Sequence, residues 1–462
     1  MLNNQKLDNF IPVINCGSFL KISCSAEEKQ MIPVKKLKAL TPAELDRLFN
    51  RFGEDFSSIM INTVVPIVND VRLNGEKAVK KYTEKFDGVK LENVIAAQDE
   101  INEGHRNTPK DVLKAFMKAK SNVEEFHRRQ MKENSIYTRD DGIILGINYQ
   151  AIESAGIYVP GGKASYPSSV LMGVIPAMIA GVTDITVITP PDKNGKVPDI
   201  IYAICKECGV KNIIKSGGAQ GIAFAASGSD KHKKSNIIVG PGNIFVTAAK
   251  TYLFSMGIIQ IDSMAGPSEV LIISDEKSDP KWVAWDLLSQ AEHEERALAV
   301  LVTTSEKFAQ EVKNEIIKDI DSGCGRHEIK KTAIKNGVIL VTDTIEQAID
   351  FSNSYGPEHM EFMVDNPLEY IGRIRNVGSL FLGRYSPVAV GDYYSGTNHI
   401  LPTGGAARFS SGTSVETFLR RTTFQLLNKE SLEKTMPYIK LMSRYEGFDD
   451  KHGGSVEVRF KK

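Results

Sequence analysis

The chain has 462 residues, 42% of them hydrophobic, and its 57 basic residues balance its 57 acidic residues. This hydrophobic share is enough for buried cores and argues against disorder, while the absence of a basic excess argues against a nucleic-acid partner. No run of eighteen apolar residues and no basic start with an apolar block is present, so we expect neither a membrane span nor a signal peptide.

Residues 1–57 are expected to form a small helical N-terminal segment. Residues 41–44 read TPAE, which supplies a cap, a proline at the first helical position and an acidic first turn for a short helix. Amphipathic patterns predict two further helices, over 57–73 and 76–86.

From about residue 154 the pattern alternates between strands, glycine-bearing loops and helices, which is typical of parallel βαβ units. The expected elements are strands 184–189, 212–215, 236–239, 270–274, 298–303, 338–342 and 377–382, with helices 198–208, 281–296 and 345–353. We therefore predict an α/β protein with two Rossmann-like domains built on parallel sheets. The first would comprise 58–157 with 268–405, and the second 158–267.

The C-terminal part, 406–462, is expected to be a polar helical tail. Helices are predicted over 415–427 and 431–445. Because these segments hold few apolar residues, the tail should dock on another surface rather than form a core of its own.

The five cysteines are an odd number and too few for a disulfide framework, so we expect a cytoplasmic protein. Cys205 and Cys208 form a C-x-x-C pair that could indicate a redox or zinc site. They lie in an apolar helical stretch, however, and no second such pair exists to complete a four-thiolate site. A structural role is therefore expected.

Polar clusters near the expected helices suggest a metal site. Gln290 and His293 are three residues apart and project from one helical face. An amide oxygen and an imidazole nitrogen can both bind zinc, although such a pair alone is more often a surface hydrogen bond. Asp392 and His399, on a glycine-bearing segment, would complement them as ligands of a first-row metal.

A second cluster, Glu358 and His359, follows a Gly-Pro pair that disfavours helix. Imidazole titrates near neutrality and a carboxylate can orient it or activate water, so the pair suits proton transfer. A solvated loop is the alternative. The segment from Glu446 to His452 forms a further polar cluster in the tail.

Two glycine loops could serve a nucleotide, YVPGGK at 158–163 and GPGN at 240–243. Glycines let the backbone approach phosphate and expose its amides. Neither loop is a G-x-G-x-x-G fingerprint, so the ordinary dinucleotide signature is absent and simple turns are the alternative.

Taken together and in this order, seven segments resemble the histidinol dehydrogenase family. They are IYVPGGKASYPS at 157–168, SGGAQGI at 216–222, VGPGN at 239–243, AGPSEVL at 265–271, DLLSQAEH at 286–293, PEH at 357–359 and GDYYSGTNHILPT at 391–403. The resemblance extends from about residue 55 almost to the C-terminus.

This resemblance implies a homodimer that uses zinc and NAD to oxidise L-histidinol, first to the aldehyde and then to L-histidine. It implies zinc ligands, one of them from the tail of the other subunit: Gln290, His293, Asp392 and, across the dimer, His452. It implies an acid/base pair, Glu358 and His359, and NAD contacts, Tyr158, Gln220 and Asn243. The substrate contacts would be Ser268, His399 and Glu446, together with the zinc ligands and His359. Glu446 and His452 are six residues apart, one more than in the family's usual tail.

Two other functions stay open at this point. One is a related zinc- and NAD-dependent dehydrogenase of another small polar alcohol, and the other is a non-catalytic protein stabilised by zinc. The implied substrate contacts His399 and Glu446 favour histidinol, because a carboxylate suits its cationic amine. The presence of both Glu358 and His359 argues against a structural zinc site, which needs no proton relay.

Overall fold

The computed structural model describes residues 31–51, 56–161, 165–264 and 266–461. Most of the predicted N-terminal segment, and Gly162 and Lys163 of the first glycine loop, lie outside these ranges. The strands are β1 (Val34–Lys36), β2 (Ser135–Thr138), β3 (Ile144–Ala151), β4 (Ser154–Tyr158), β5 (Asp184–Ile188), β6 (Asn212–Ile214), β7 (Ile237–Val239), β8 (Gln260–Ile261), β9 (Glu269–Ser274), β10 (Leu298–Thr303), β11 (Val338–Val341), β12 (His359–Met363), β13 (Ser379–Leu382) and β14 (Leu419–Leu426).

The described α-helices connect and cover these strands. They are α1 (Pro42–Phe49), α2 (Phe56–Ile59), α3 (Val65–Asp87), α4 (Gln98–Asn107), α5 (Lys110–Arg128), α6 (Ser168–Ala180), α7 (Asp199–Glu207), α8 (Gly218–Ser227), α9 (Ile244–Ser255), α10 (Pro280–Ala291), α11 (Glu306–Ser322), α12 (His327–Ala333), α13 (Ile345–Tyr355), α14 (Val388–Tyr393), α15 (Lys429–Tyr445) and α16 (Gly454–Glu457). Among them, none combines the length and apolar character that a transmembrane segment requires.

Two parallel sheets confirm the predicted α/β fold. One has the strand order β1-β11-β10-β9-β12-β13 and the other β6-β5-β4-β7-β8, and all their pairings are parallel. Helices cover both faces of each sheet, so the central strands are buried on both sides. This explains why β9 and β12 have no exposed residue.

The N-terminal segment is not purely helical, which corrects the prediction for its described part. Thr41 caps α1 in a capping box with Glu44, as the TPAE sequence predicts. Before it, however, β1 pairs with β11 at the edge of the six-stranded sheet. Three residues are too short a run for periodicity to identify a strand.

The grouping of residues 58–157 also differs from the prediction, which placed them with 268–405. Helix α3 contacts α8, α4 contacts α7, and α5 contacts α6. The helices α6, α7 and α8 cover the five-stranded sheet. Apolar residues of α3, α4 and α5 belong to the two cores of that sheet. The amphipathic pattern predicted the helices, with a break at Gly75, where φ is 54°, but periodicity cannot identify the sheet that receives their apolar faces.

A third, antiparallel sheet corrects the prediction for the tail. The helix expected over 415–427 is instead a short 3-10 turn, Val415–Phe418, followed by β14. β14 pairs with β3 over its whole length, in the sheet order β14-β3-β2. Its sequence, LRRTTFQL, contains β-branched and aromatic residues that suit a strand, and the ring of Phe424 lies against Gly146. The helix predicted over 431–445 is confirmed as α15.

Candidate active site

A cavity of about 510 Å³ collects residues from both parallel sheets. Nine of the twelve residues singled out in the sequence line it: Tyr158, Asn243, Ser268, Gln290, His293, Glu358, His359, Asp392 and His399. The other three, Gln220, Glu446 and His452, are not among its lining residues. Segments that are distant in sequence therefore meet in one concave space, which is the usual form of a small-molecule site.

The parallel pairing of β9 and β12 places the central residues of the site. Ser268 immediately precedes β9, and Glu358 immediately precedes β12. His359 opens β12 and lies in register with Val270. The segment predicted as a loop thus runs directly into a buried strand. The amino ends of two neighbouring strands therefore hold the substrate-contact candidate and the acid/base candidates side by side.

Glu358 and His359 are buried and held by hydrogen bonds to one residue. Glu358 Oε2 accepts a hydrogen bond from the backbone N–H of Glu269 at 2.8 Å. His359 Nδ1 lies 3.2 Å from the carbonyl oxygen of Glu269 and 3.5 Å from Glu358 Oε2. Because a carbonyl only accepts, we assign the proton to Nδ1. In the neutral ring Nε2, 3.9 Å from Asp392 Oδ1, is then the proton acceptor.

The charges around His359 favour its protonated form. Burial acts to lower the pKa of His359, but the carboxylate of Glu358, its hydrogen bond and the carboxylate of Asp392 outweigh burial and raise the pKa to about 9. His399, which also lines the cavity, shows the opposite result, because burial outweighs the attraction of Asp392 and lowers its pKa. The two histidines therefore differ in charge near neutral pH.

The proposed zinc ligands have the chemistry that the metal needs. Gln290, in the last turn of α10, is buried, and its Nε2 has no hydrogen-bond partner among the described residues. Since the oxygen and nitrogen of a side-chain amide are assigned from their partners, this unpaired amide is available to a ligand in the cavity. His293 and Asp392, which line the same cavity, can supply an imidazole nitrogen and a carboxylate oxygen, and such a mixed set fits zinc.

Within the described residues of the single chain, no group of three or more His, Cys, Asp or Glu side chains is placed to hold a metal ion. The proposed set is consistent with this finding. It contains only two such residues from one protomer, His293 and Asp392, because its third ligand is an amide and His452 would come from the second subunit.

The glycine loop at 240–243 borders the cavity, and hydrogen bonds of Gly240 with Asp262 and Lys250 hold it in place. The N–H of Gly240 donates to Asp262 Oδ2 at 2.8 Å, and its carbonyl accepts from Lys250 Nζ at 3.0 Å. Gly240 has φ of 119°, and a Cβ there would lie 2.1 Å from the carbonyl oxygen of Tyr158. Only glycine fits this close approach.

The three NAD candidates have different surroundings. Tyr158 ends β4, and its hydroxyl accepts from the N–H of Gly218 at 3.4 Å. Asn243 lines the cavity and caps α9, because its Oδ1 accepts from the N–H groups of Phe245 and Val246. Gln220 lies buried in the first turn of α8, outside the lining of the cavity.

The tail residues lie apart from the cavity of their own chain. Glu446 follows α15 and His452 lies in the next turn, and both are exposed. The ring of Phe448 is 6.3 Å from that of His452. Helix α15 and the following turn also expose large apolar side chains: Tyr438, Leu441, Met442, Tyr445 and Phe448.

Sequence reasoning missed the buried acidic residues behind the site. Glu269 appeared only within the segment AGPSEVL, with no role of its own, and its fully buried carboxylate lies beside Arg51. Glu361 Oε1 accepts from the N–H of Val388 at the start of α14, the helix that carries Asp392. Burial raises the pKa of both Glu361 and its neighbour Asp286. The available signal was an acidic residue next to or within an apolar run, since Glu269 directly precedes VLII and Glu361 interrupts the run MEFMV.

Comparison with known proteins agrees with this architecture. The family model described as histidinol dehydrogenase matches residues 51–460. The histidinol dehydrogenase of Leptospira interrogans is 47% identical, covering 90% of this chain and 96% of the relative. That of Methanocaldococcus jannaschii is 45% identical, covering 93% and 99%. The crystal structure of histidinol dehydrogenase from Elizabethkingia anophelis superposes with a TM-score of 0.86 at 36% identity, covering 93% of this chain and 98% of that one. The resemblance of the seven segments is thereby confirmed, and this chain belongs to the histidinol dehydrogenase family.

Proposed function

We propose that this chain oxidises L-histidinol to L-histidine through the aldehyde, in the last steps of histidine biosynthesis, with zinc and NAD. The observation that carries the proposal is the convergence of two sets of residues on one cavity. The buried pair Glu358 and His359 faces the same space as the donors Gln290, His293 and Asp392. Neither a proton relay nor a metal site alone would require this arrangement.

Zinc, NAD and the side chains of the protein would have different roles in the reaction. When bound, zinc would supply an orienting template for the amine and imidazole of histidinol, and NAD would supply the hydride acceptor. The zinc ligands from this chain would be Gln290, His293 and Asp392. Tyr158 and Asn243 border the cavity from the five-stranded sheet, where we place NAD.

His359 acts as the base in the first oxidation. Its Nδ1 is held by the carbonyl of Glu269, so Nε2 can take the alcohol proton while hydride leaves the carbon. Glu358 acts in the second oxidation, where water must add to the aldehyde. Its carboxylate is buried beside His359 and can accept a proton from that water. The resulting hydrate can then lose the second hydride.

A steady-state assay tests the proposed function. The purified protein should reduce NAD with L-histidinol and should form L-histidine as the final product. A panel of other small polar alcohols serves as the comparison, because a related dehydrogenase would prefer one of them. Preference for another alcohol by kcat/KM, or release of the aldehyde as the only product, would contradict the assignment.

Replacing His293 with alanine should remove most of the bound zinc, because it deletes one of the three ligands from this chain. His105 provides a matched control, since this histidine contacts Glu207 outside the cavity. Elemental analysis of protein purified without chelator gives the metal content. We expect normal zinc in His105→Ala and a large loss in His293→Ala. Unchanged zinc in the His293 variant would rule out this ligand set.

Replacing Glu358 with glutamine should harm the second oxidation more than the first. The amide keeps an oxygen that can accept from the N–H of Glu269, but it cannot take a proton from water. Single-turnover rates with histidinol and with the aldehyde separate the two steps. Equal losses on the two substrates would remove Glu358 from the water-activating role.

We further propose a cytoplasmic homodimer in which the tail of one subunit completes the site of the other. Glu446 would bind the cationic amine of the substrate, and His452 would be the fourth zinc ligand. The exposed apolar side chains of α15 support a docking role for the tail.

A further inference from the structure

Glu269 is a buried carboxylate that the proposed chemistry does not use. It opens β9 and is 0% exposed. Its Oε1 accepts from the N–H of Gly404 and from Arg51 Nη2, each at 3.0 Å, and its Oε2 lies 2.6 Å from Arg51 Nε. The Tyr355 hydroxyl donates to the same oxygen at 3.4 Å. Burying a carboxylate costs free energy unless hydrogen bonds and an opposite charge compensate for it. We therefore expect the buried carboxylate of Glu269 to have a role.

The backbone of Glu269 contacts both proposed catalytic residues. Its N–H donates to Glu358 Oε2 at 2.8 Å, and its carbonyl accepts from His359 Nδ1 at 3.2 Å. The first contact orients the carboxylate, and the second selects the tautomer that leaves Nε2 open to the cavity. One peptide segment therefore sets the position of both groups.

The side chain of Glu269 fixes this peptide segment to three distant parts of the chain. Arg51 comes from the N-terminal segment and Gly404 from the segment that follows α14, while Tyr355 ends α13 just before Glu358. The guanidinium of Arg51 also stacks 3.7 Å above the ring of Tyr355. These contacts restrict the movement of Glu269 at the amino end of β9, which borders the cavity.

We propose that Glu269, anchored by Arg51, is a positioning residue that holds Glu358 and His359 in their reactive arrangement. This inference rests on the proposed function. The residue touches neither substrate nor cofactor in this assignment, and it acts through its backbone contacts to the catalytic pair.

Replacing Glu269 with glutamine should lower kcat with histidinol by roughly tenfold or more, the size of effect typical when supporting contacts of reactive groups are lost. The KM for NAD should not change, because the proposed NAD contacts Tyr158 and Asn243 lie at the five-stranded sheet, whereas Glu269 lies in the six-stranded sheet. Asp275→Asn is the matched control at the opposite end of β9. Asp275 pairs with Arg384 Nη2 through both carboxylate oxygens, at 2.8 and 2.9 Å. Equal kcat losses in the two variants, or a raised KM for NAD in Glu269→Gln, would overturn the inference.

A double variant guards against a folding defect. Glu269→Gln alone leaves the Arg51 charge buried without its partner, which destabilises proteins strongly. Arg51→Met with Glu269→Gln removes both charges. This variant should fold, keep the NAD KM and still lose kcat, whereas normal kcat would contradict the positioning role.

Crystal structures of the double variant and the wild type give a readout independent of turnover. The Glu358 carboxylate and the His359 ring should shift from their positions beside residue 269 in the variant. Unchanged positions would sink the inference. If the wild-type chain does not reduce NAD with histidinol, the proposed function fails, and these structures still decide whether Glu269 positions the pair.

Discussion

Replacing His359 with asparagine is expected to lower kcat at least about a hundredfold, which is the lower range of general acid–base contributions. Asparagine can keep a hydrogen bond to the carbonyl of Glu269, but it cannot take the alcohol proton. His232→Asn is the matched control, because His232 is also buried and bonded to a backbone carbonyl, that of Phe224, away from the cavity. A near-normal kcat in His359→Asn would exclude this residue as the base.

The pH profile provides a second readout for the same variant. Only the deprotonated ring can act as a base, and the surrounding carboxylates raise the pKa of His359 to about 9. The fraction of active base is therefore small at neutral pH and increases as the pH rises toward that value. The wild-type kcat/KM should increase over this range. The residual activity of His359→Asn should lack this increase.

Truncation before Tyr445 is expected to abolish activity, weaken zinc retention and loosen the dimer. The truncated chain lacks Glu446 and His452, which lie outside the cavity of their own protomer. A metal bound only by the assembled dimer stabilises that dimer, so losing a ligand should weaken assembly. Activity, elemental analysis and the dimer dissociation constant measure the three effects. A truncated chain with full activity would exclude the tail from the site.

Mixing two inactive variants tests whether the site is shared. His359→Asn lacks the base and His452→Ala lacks the tail ligand. If the tail serves the other subunit, a heterodimer contains one site with both residues intact, and activity returns. If the tail serves its own chain, every site carries a lesion. Subunit exchange confirmed by mass spectrometry without recovered activity would refute the shared site. Because Glu446 and His452 are six residues apart, one more than in the family's usual tail, recovered activity would also show that His452 reaches the metal despite the extra residue.

The parallel sheets could be predicted because their strands carry a strong local signal. The apolar runs of β9, β10 and β11 are short and bounded by turns, as buried parallel strands require. β14 was taken for a helix because its polar residues show no buried face, and its pairing with β3 joins positions far apart in the sequence. The assignment of α3, α4 and α5 was wrong for the same reason, since it depends on tertiary packing.

The candidate site could be predicted to a similar extent. Short motifs named nine of the residues that line the cavity, including Glu358, His359 and Gln290, because each motif is local. The contact between Arg51 and Glu269 joins residues 218 positions apart, and no local pattern shows it. The proposed placement of His452 in the site of a second subunit joins two chains, and no local pattern of one sequence shows such a contact.

The position of His359 at the start of β12 has a consequence for how new specificities could arise. The proposed base and its neighbour belong to a hydrogen-bonded sheet, whose spacing and register leave little freedom. The other walls of the cavity come from separate elements, including the first turn of α6, helix α14 and the segment that carries His399. Evolution could therefore exchange one alcohol substrate for another by changing these walls, while the proton-transfer apparatus is inherited unchanged. Directed evolution toward other amino alcohols would accordingly begin with the walls and leave the strand starts untouched.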